Sequence, residues 1–137
     1  MHPIVKNILA VLAGIIIGGA VNMGIIMLSG WVIPPPGVDT SDMESLKSAM
    51  HLFEPRHFIM PFIAHAIGTL VGAFIAAKIA ANNKMIFAMV IGIFFLIGGV
   101  MSVTMLPAPM WFNALDLLGA YIPMAWLGGR MSLSSSV

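Results

Sequence analysis

The chain has 137 residues, of which 60% are hydrophobic and only 8% are charged, against roughly a quarter charged in soluble domains. This composition predicts an integral membrane protein. The absence of cysteine excludes disulfides, thiolate metal sites and thiol catalysis. The formal net charge is +1 and the basic residues form no cluster, so nucleic-acid binding is not expected.

Residues 8–33 predict a first spanning helix, because this apolar run is longer than the roughly 7–15 residues of a signal-peptide core. Three consecutive prolines from Pro34 end it, since they lack amide donors. Gly14 and Gly18 lie four residues apart and lead to Asn22. Such small residues predict a ridge that a neighbouring helix can approach closely.

The connection over residues 34–57 is the one long polar segment. Ser41 and Glu44 match a capping box, and apolar residues follow at three- and four-residue steps. We therefore expect a short amphipathic helix over residues 42–53, on the membrane surface or over the mouth of the bundle. Three residues of this connection are weak candidates for metal ligands, although solvated loop positions are the favoured interpretation. They are His51, Glu54 and His57.

Residues 58–81 predict a second spanning helix that carries a second small-residue ridge. Gly68, Gly72 and Ala76 belong to that ridge. His65 lies beside it in an otherwise apolar stretch, so its side chain is predicted to face protein rather than lipid.

Two more spanning helices are predicted, over residues 85–106 and 110–127, followed by a cytoplasmic tail over residues 128–137. The expected fold is therefore an all-α membrane protein of four transmembrane helices arranged as two hairpins, in one domain. Asp116 is the only acid within a predicted span.

The basic residues indicate the orientation. With four spans, four cations fall on the side that holds both termini, and by the positive-inside rule this side is cytoplasmic and the amphipathic connection external. These cations are Lys6, Lys78, Lys84 and Arg130.

The two hairpins show a weak similarity that would make them a parallel repeat. Residues 17–22 align with residues 97–102, and residues 65–68 align with residues 116–119.

A polar level is expected in the outer half of the bundle. At about 1.5 Å per residue, His65 lies roughly 10 Å and Asp116 roughly 9 Å below the start of their helices. Burying an aspartate at the centre of a membrane helix costs about 2.5–3.5 kcal/mol, so such a residue usually faces a partner or water. The pair is then either a proton-accepting site at the end of a vestibule lined by Asn22, Ser102 and Thr104, or a buried contact that fixes helix register.

Four stretches together resemble a group of short, uncharacterised bacterial inner-membrane proteins. They are IPPPG at 33–37, HLFEPRHF at 51–58, AHAIGTLVGAF at 64–74 and MLPAPMWFNALDLLGAYIPMAWLGG at 105–129. The resemblance covers most of the chain. It implies an inner-membrane location and brings no activity.

The leading functional hypothesis is an oligomeric channel or proton-linked transporter that uses the His65/Asp116 level. The alternative is a non-catalytic scaffold, an accessory subunit or a lipid-binding partner. No nucleophile–base spacing, H-E-x-x-H or phosphate loop occurs, so neither an enzyme nor a cofactor is indicated. Because the glycine ridges exceed the needs of one bundle, we expect a homo-oligomer or a subunit of a larger membrane complex. The sequence does not indicate a substrate.

Overall fold

The computed structural model describes residues 1–39 and 41–136, and within these residues all regular structure is helical. Six α-helices occur there, α2 being followed by two short 3-10 turns, Met50–Leu52 and Pro55–Phe58. The α-helices are α1 Pro3–Val32, α2 Met43–Ala49, α3 Ile59–Ile79, α4 Lys84–Met105, α5 Met110–Gly119 and α6 Ile122–Ser134.

Three helical segments are long and apolar enough to cross a membrane: Pro3–Val32, Pro55–Ile79 and Lys84–Met105. Each satisfies its backbone hydrogen bonds internally, as a helix in lipid must. The all-α class predicted from the sequence is confirmed, together with long apolar helices close to the first three predicted spans.

The fourth predicted span is not one helix. α5 ends at Gly119 and α6 begins at Ile122, with the amide of Ala120 donating to the Asp116 carbonyl at 3.0 Å. Pro123 explains the break, because it has no amide hydrogen and its ring clashes with the carbonyl four residues earlier in a continuous helix. α6 also continues to Ser134, so most of the predicted tail is helical.

α1 and α3 pack through their glycine ridges. A Cβ atom on Gly14 would lie 2.7 Å from the carbonyl oxygen of Gly72, and one on Gly18 would lie 2.7 Å from that of Gly68. Ala76 on the same face is completely buried. The two predicted ridges therefore contact each other inside one chain, and they no longer argue for an oligomer.

α6 and α4 pack on α3 and on each other. A Cβ atom on Gly128 would collide with the carbonyl oxygen of Leu70 in α3, and one on Gly92 would lie 2.5 Å from Cβ of Ala125. Ile91 is the largest side chain with no exposed surface. α3 is thus the central helix, and alanine and glycine make up most of what it buries.

The two segments of the predicted repeat differ in packing. Gly18 is pressed against α3, whereas a Cβ atom on its counterpart Gly98 would meet nothing within 4 Å. α3 continues past His65 to Ile79, whereas the aligned segment breaks after Gly119.

The segment between α1 and α3 lies over one end of the bundle as a cap. α2 and the 3-10 turn after it occupy most of residues 42–53, which were predicted to form the amphipathic helix. Leu46 and Met50 of this segment pack with Phe58 and Phe112. The cap is therefore attached to the starts of α3 and α5.

The helix cap of α2 differs from the prediction. Asp42, not Ser41, is the N-cap residue, and its Oδ2 accepts the amide hydrogen of Ser45 at 2.9 Å. Ser41 instead donates its hydroxyl and amide hydrogens to Asp39, which lowers the pKa of Asp39. An Asp or Ser can each fill a helix N-cap, so the sequence alone did not separate these neighbours.

Candidate functional site

His65 on α3 and Asp116 on α5 are in direct contact. The Nδ1 atom of His65 lies 2.7 Å from Oδ1 of Asp116. The Asp116 side chain is 7% exposed and that of His65 is 23% exposed. The two residues assigned to one depth from the sequence are thus partners, joining the central helix to the first half of the broken segment.

Tyr121 is the third member of this cluster. Its hydroxyl donates to Oδ2 of Asp116 at 3.0 Å, and its ring stacks on that of His65 with a centroid distance of 5.8 Å. Tyr121 is 3% exposed, and it was not identified from the sequence as part of this site. In a continuous helix a residue five positions after Asp116 points well away from it, so the break after Gly119 is what allows this contact. In the sequence, Pro123 is the residue that could have suggested this break.

The contacts of Asp116 determine the state of the His65 ring. A carboxylate only accepts hydrogen bonds, so it takes one from His65 Nδ1–H and one from the Tyr121 hydroxyl. Nε2 of His65 has no hydrogen-bond partner among the described residues. A carboxylate that holds one imidazole nitrogen fixes the tautomer and leaves the other nitrogen to exchange a proton.

Two cavities meet at His65. The first, which we name the cap cavity, has a volume of about 130 Å³ and extends from the cap to His65 and Asp116. The second, the inner cavity, has a volume of about 210 Å³ and is lined by α1, α3 and α4 together with Tyr121. Three residues line both cavities: His65, Gly99 and Ser102.

The other predicted polar residues divide between the site and the surface. Asn22 and Ser102 line the inner cavity, and Oδ1 of Asn22 is buried without a hydrogen-bond partner among the described residues. The Ser102 hydroxyl donates to the Gly98 carbonyl at 3.1 Å. Thr104 is exposed, donates to the Met101 carbonyl at 2.6 Å and lines neither cavity, so its predicted place in the cluster is wrong.

Several lining residues were not identified from the sequence as part of this site, among them Thr69, His57 and Asn113. Thr69, which is 1% exposed, lies four residues after His65 and lines the inner cavity. This four-residue spacing, which puts Thr69 on the same face of α3 as His65, was the sequence feature that could have identified it. His57 and Asn113 line the cap cavity.

Two of the three weak metal candidates of the connection, Glu54 and His57, make local contacts instead. The Nδ1 atom of His57 accepts the amide hydrogen of Glu54 at 2.8 Å, and the Glu54 carboxylate pairs with Arg56 at 3.0 Å. His57 is 6% exposed, whereas His51 is exposed. Across residues 1–39 and 41–136, no three histidine or acidic side chains lie close enough to hold a metal ion.

No protein-family model, curated protein or solved structure matches this chain. Chemically, the arrangement of His65, Asp116 and Tyr121 can bind and release a proton at Nε2 of His65 and can hydrogen-bond a small molecule in either cavity.

Proposed function

We propose that this chain is a small proton-linked transporter or channel of the bacterial inner membrane, in which His65 carries the proton. It would cross the membrane four times, with α5 and α6 together making the last crossing. These helices have 10 and 13 residues, or about 35 Å of helix for a hydrocarbon core of about 30 Å. The basic residues favour cytoplasmic termini and an external cap.

One observation carries the proposal. His65 is held at Nδ1 by a nearly buried carboxylate, while its ring borders two cavities and its Nε2 has no partner among the described residues. A contact that only fixed helix register would be enclosed by packed side chains. Ionisable groups that border space inside a helix bundle are typical of proton and substrate pathways.

The broken fourth segment gives further support. Many secondary transporters bind their substrates where a spanning helix is interrupted, because irregular backbone there can bind ligands and move. Here the interruption at Ala120 lies directly between Asp116 and Tyr121, the two residues that contact His65. The break and the proton-binding cluster occupy one place in the fold.

The alternative of a scaffold or lipid-binding partner has lost its main support. It depended on glycine ridges free to bind another chain, and Gly14, Gly18, Gly68 and Gly72 pack against one another within this chain. A homo-oligomer remains compatible with the proposal and is not needed to complete the cluster.

The proposal is tested by proton uptake into liposomes. Purified protein is reconstituted with a trapped pH-sensitive dye, a potassium gradient with valinomycin sets the potential, and the outside is acidified. Wild-type protein is expected to admit protons faster than protein-free liposomes. His65→Ala and Asp116→Asn are expected to abolish the increase, because each removes one half of the pair.

The matched controls are His51→Ala and Asp39→Asn, which alter the same residue types on the exposed connection. Both are expected to retain wild-type uptake. Helical circular dichroism of each variant checks that the fold is intact. Wild-type uptake no faster than that of empty liposomes, under any imposed gradient, rules out the proposal.

A further inference from the structure

The cap cavity has the size of a single small ring. Its volume is about 130 Å³, and a cavity of about 150 Å³ lined by apolar side chains holds one benzene molecule. Met50, Phe58, Leu106 and Phe112 are among its walls. Most of the wall is apolar, with polar side chains at particular points, so a ring that carries a few polar groups fits this space.

A hydrogen-bond donor stands at the cap end. Because Nδ1 of His57 accepts the amide hydrogen of Glu54 at 2.8 Å, the neutral ring carries its own proton on Nε2. His57 is 6% exposed and lines the cavity, and its Nε2 has no hydrogen-bond partner among the described residues. A ligand with an acceptor would give this donor a hydrogen bond, worth about 0.5–1.5 kcal/mol, so this position favours such a ligand.

Hydrogen-bond acceptors stand on α5. Asn113 and Asp116, almost one turn apart, both line the cavity. The Asn113 amide nitrogen donates weakly to the Ala108 carbonyl at 3.4 Å, which leaves its side-chain oxygen free to accept. A carboxylate has about four lone-pair sites, and only two of those on Asp116 are used by His65 and Tyr121.

The permanent charges around the cavity disfavour an anion. Among the described lining residues there is no lysine or arginine, and Asp116 supplies a negative charge. A buried carboxylate ligand would therefore have no permanent cation to compensate its loss of hydration, and Asp116 already occupies Nδ1 of the lining residue His65.

We infer that the cap cavity binds a neutral, ring-sized molecule with a hydroxyl group at one end and a carbonyl or ether oxygen at the other. The hydroxyl donates to Asn113 or Asp116, and the oxygen accepts from Nε2 of His57. Naming this molecule as the transported substrate rests on the proposed function, whereas its binding depends only on the cavity.

The test uses full-length protein in phosphatidylcholine nanodiscs at pH 6. The probe is 4-hydroxybenzaldehyde, whose aldehyde proton can be followed by saturation-transfer NMR without overlap from lipid. Phenol lacks the acceptor, benzaldehyde lacks the donor, and 4-hydroxybenzoate adds a negative charge. We expect saturable binding of the probe, binding of phenol and of benzaldehyde about fivefold weaker, and no binding of 4-hydroxybenzoate.

Three variants assign the contacts. His57→Asn keeps an acceptor for the Glu54 amide, and its shorter side chain leaves no donor at the position of Nε2. This variant should therefore weaken binding of the probe about fivefold and leave binding of phenol unchanged. Asn113→Leu should weaken the binding of the probe and of phenol about equally and leave the binding of benzaldehyde unchanged. Val103→Trp places a large ring in the cavity and should abolish binding of all three.

Equal probe signals from wild type, Val103→Trp and empty nanodiscs would overturn the inference. It would also be overturned if His57→Asn weakened the binding of phenol as much as the binding of the probe. The His57→Asn comparison decides the matter even if Val103→Trp does not fold. The assay needs no gradient, so its failure is distinct from that of the transport proposal. Proton uptake without probe binding removes only this inference, and probe binding without proton uptake removes only the transport proposal.

Discussion

Gly18 and Gly19 are adjacent in α1 and offer a direct test of how α1 packs on α3. A Cβ atom on Gly18 would lie 2.7 Å from the Gly68 carbonyl oxygen and 3.0 Å from Cα of Gly72. A Cβ atom on Gly19 would meet nothing within 4 Å. The two positions share a helix and differ only in the direction they face.

These distances determine how much Gly18→Ala should destabilise the protein. Ordinary van der Waals contact begins at 3.4 Å, so Gly18→Ala requires the two helices to separate by about 0.7 Å. The Gly68 and Gly72 atoms belong to the backbone of α3 and cannot rotate away, whereas Cε2 of Phe95, also at 3.0 Å, belongs to a side chain that can move. Overpacking of this kind costs about 1–3 kcal/mol, and we expect that loss in the free energy of unfolding. Gly19→Ala should be neutral or stabilising by up to about 1 kcal/mol, because alanine is the better helix former.

The assay is unfolding in mixed micelles by increasing sodium dodecyl sulfate, followed by far-UV circular dichroism. Gly18→Ala should unfold at a lower detergent fraction than wild type, and Gly19→Ala at the same or a higher one. Equal destabilisation by the two variants would refute the packing of α1 on α3 described above.

Two further predictions concern the cluster and the orientation. Tyr121→Phe removes one hydrogen bond to Asp116 and should lower the free energy of unfolding in the same assay by about 1 kcal/mol. Proton uptake should persist, because the contact between His65 and Asp116 remains. Loss of uptake would show that the Tyr121 hydroxyl is itself required. Because the chain has no cysteine, Lys47→Cys and Ser136→Cys can be labelled singly in intact cells, and an impermeant maleimide should reach only Lys47→Cys, on the cap; the reverse result would contradict the proposed topology.

Much of the helical framework was predictable because it depends on length and hydropathy. The apolar runs that became α1, α3 and α4 can satisfy their backbones in lipid only as helices. Depth along a helix is also regular, which is why His65 and Asp116 could be assigned to one level before their contact was seen.

Contacts that depend on tertiary arrangement were not predictable. Nothing in the sequence states whether a glycine ridge such as that of Gly68 meets its own chain or another, and the structure places it on α1. Proline is tolerated in membrane helices, so Pro123 did not by itself predict a break. Without the break, Tyr121 points away from Asp116, and it was therefore missed.

The most direct test of the central claim is the initial rate of acid-driven proton uptake by liposomes containing wild type, His65→Ala or His51→Ala at equal protein density. If His65 carries the proton between the two cavities, wild type and His51→Ala will take up protons at the same rate, and His65→Ala will match empty liposomes. Uptake by His65→Ala at the wild-type rate would contradict the account, and would leave the contact between His65 and Asp116 as a purely structural one.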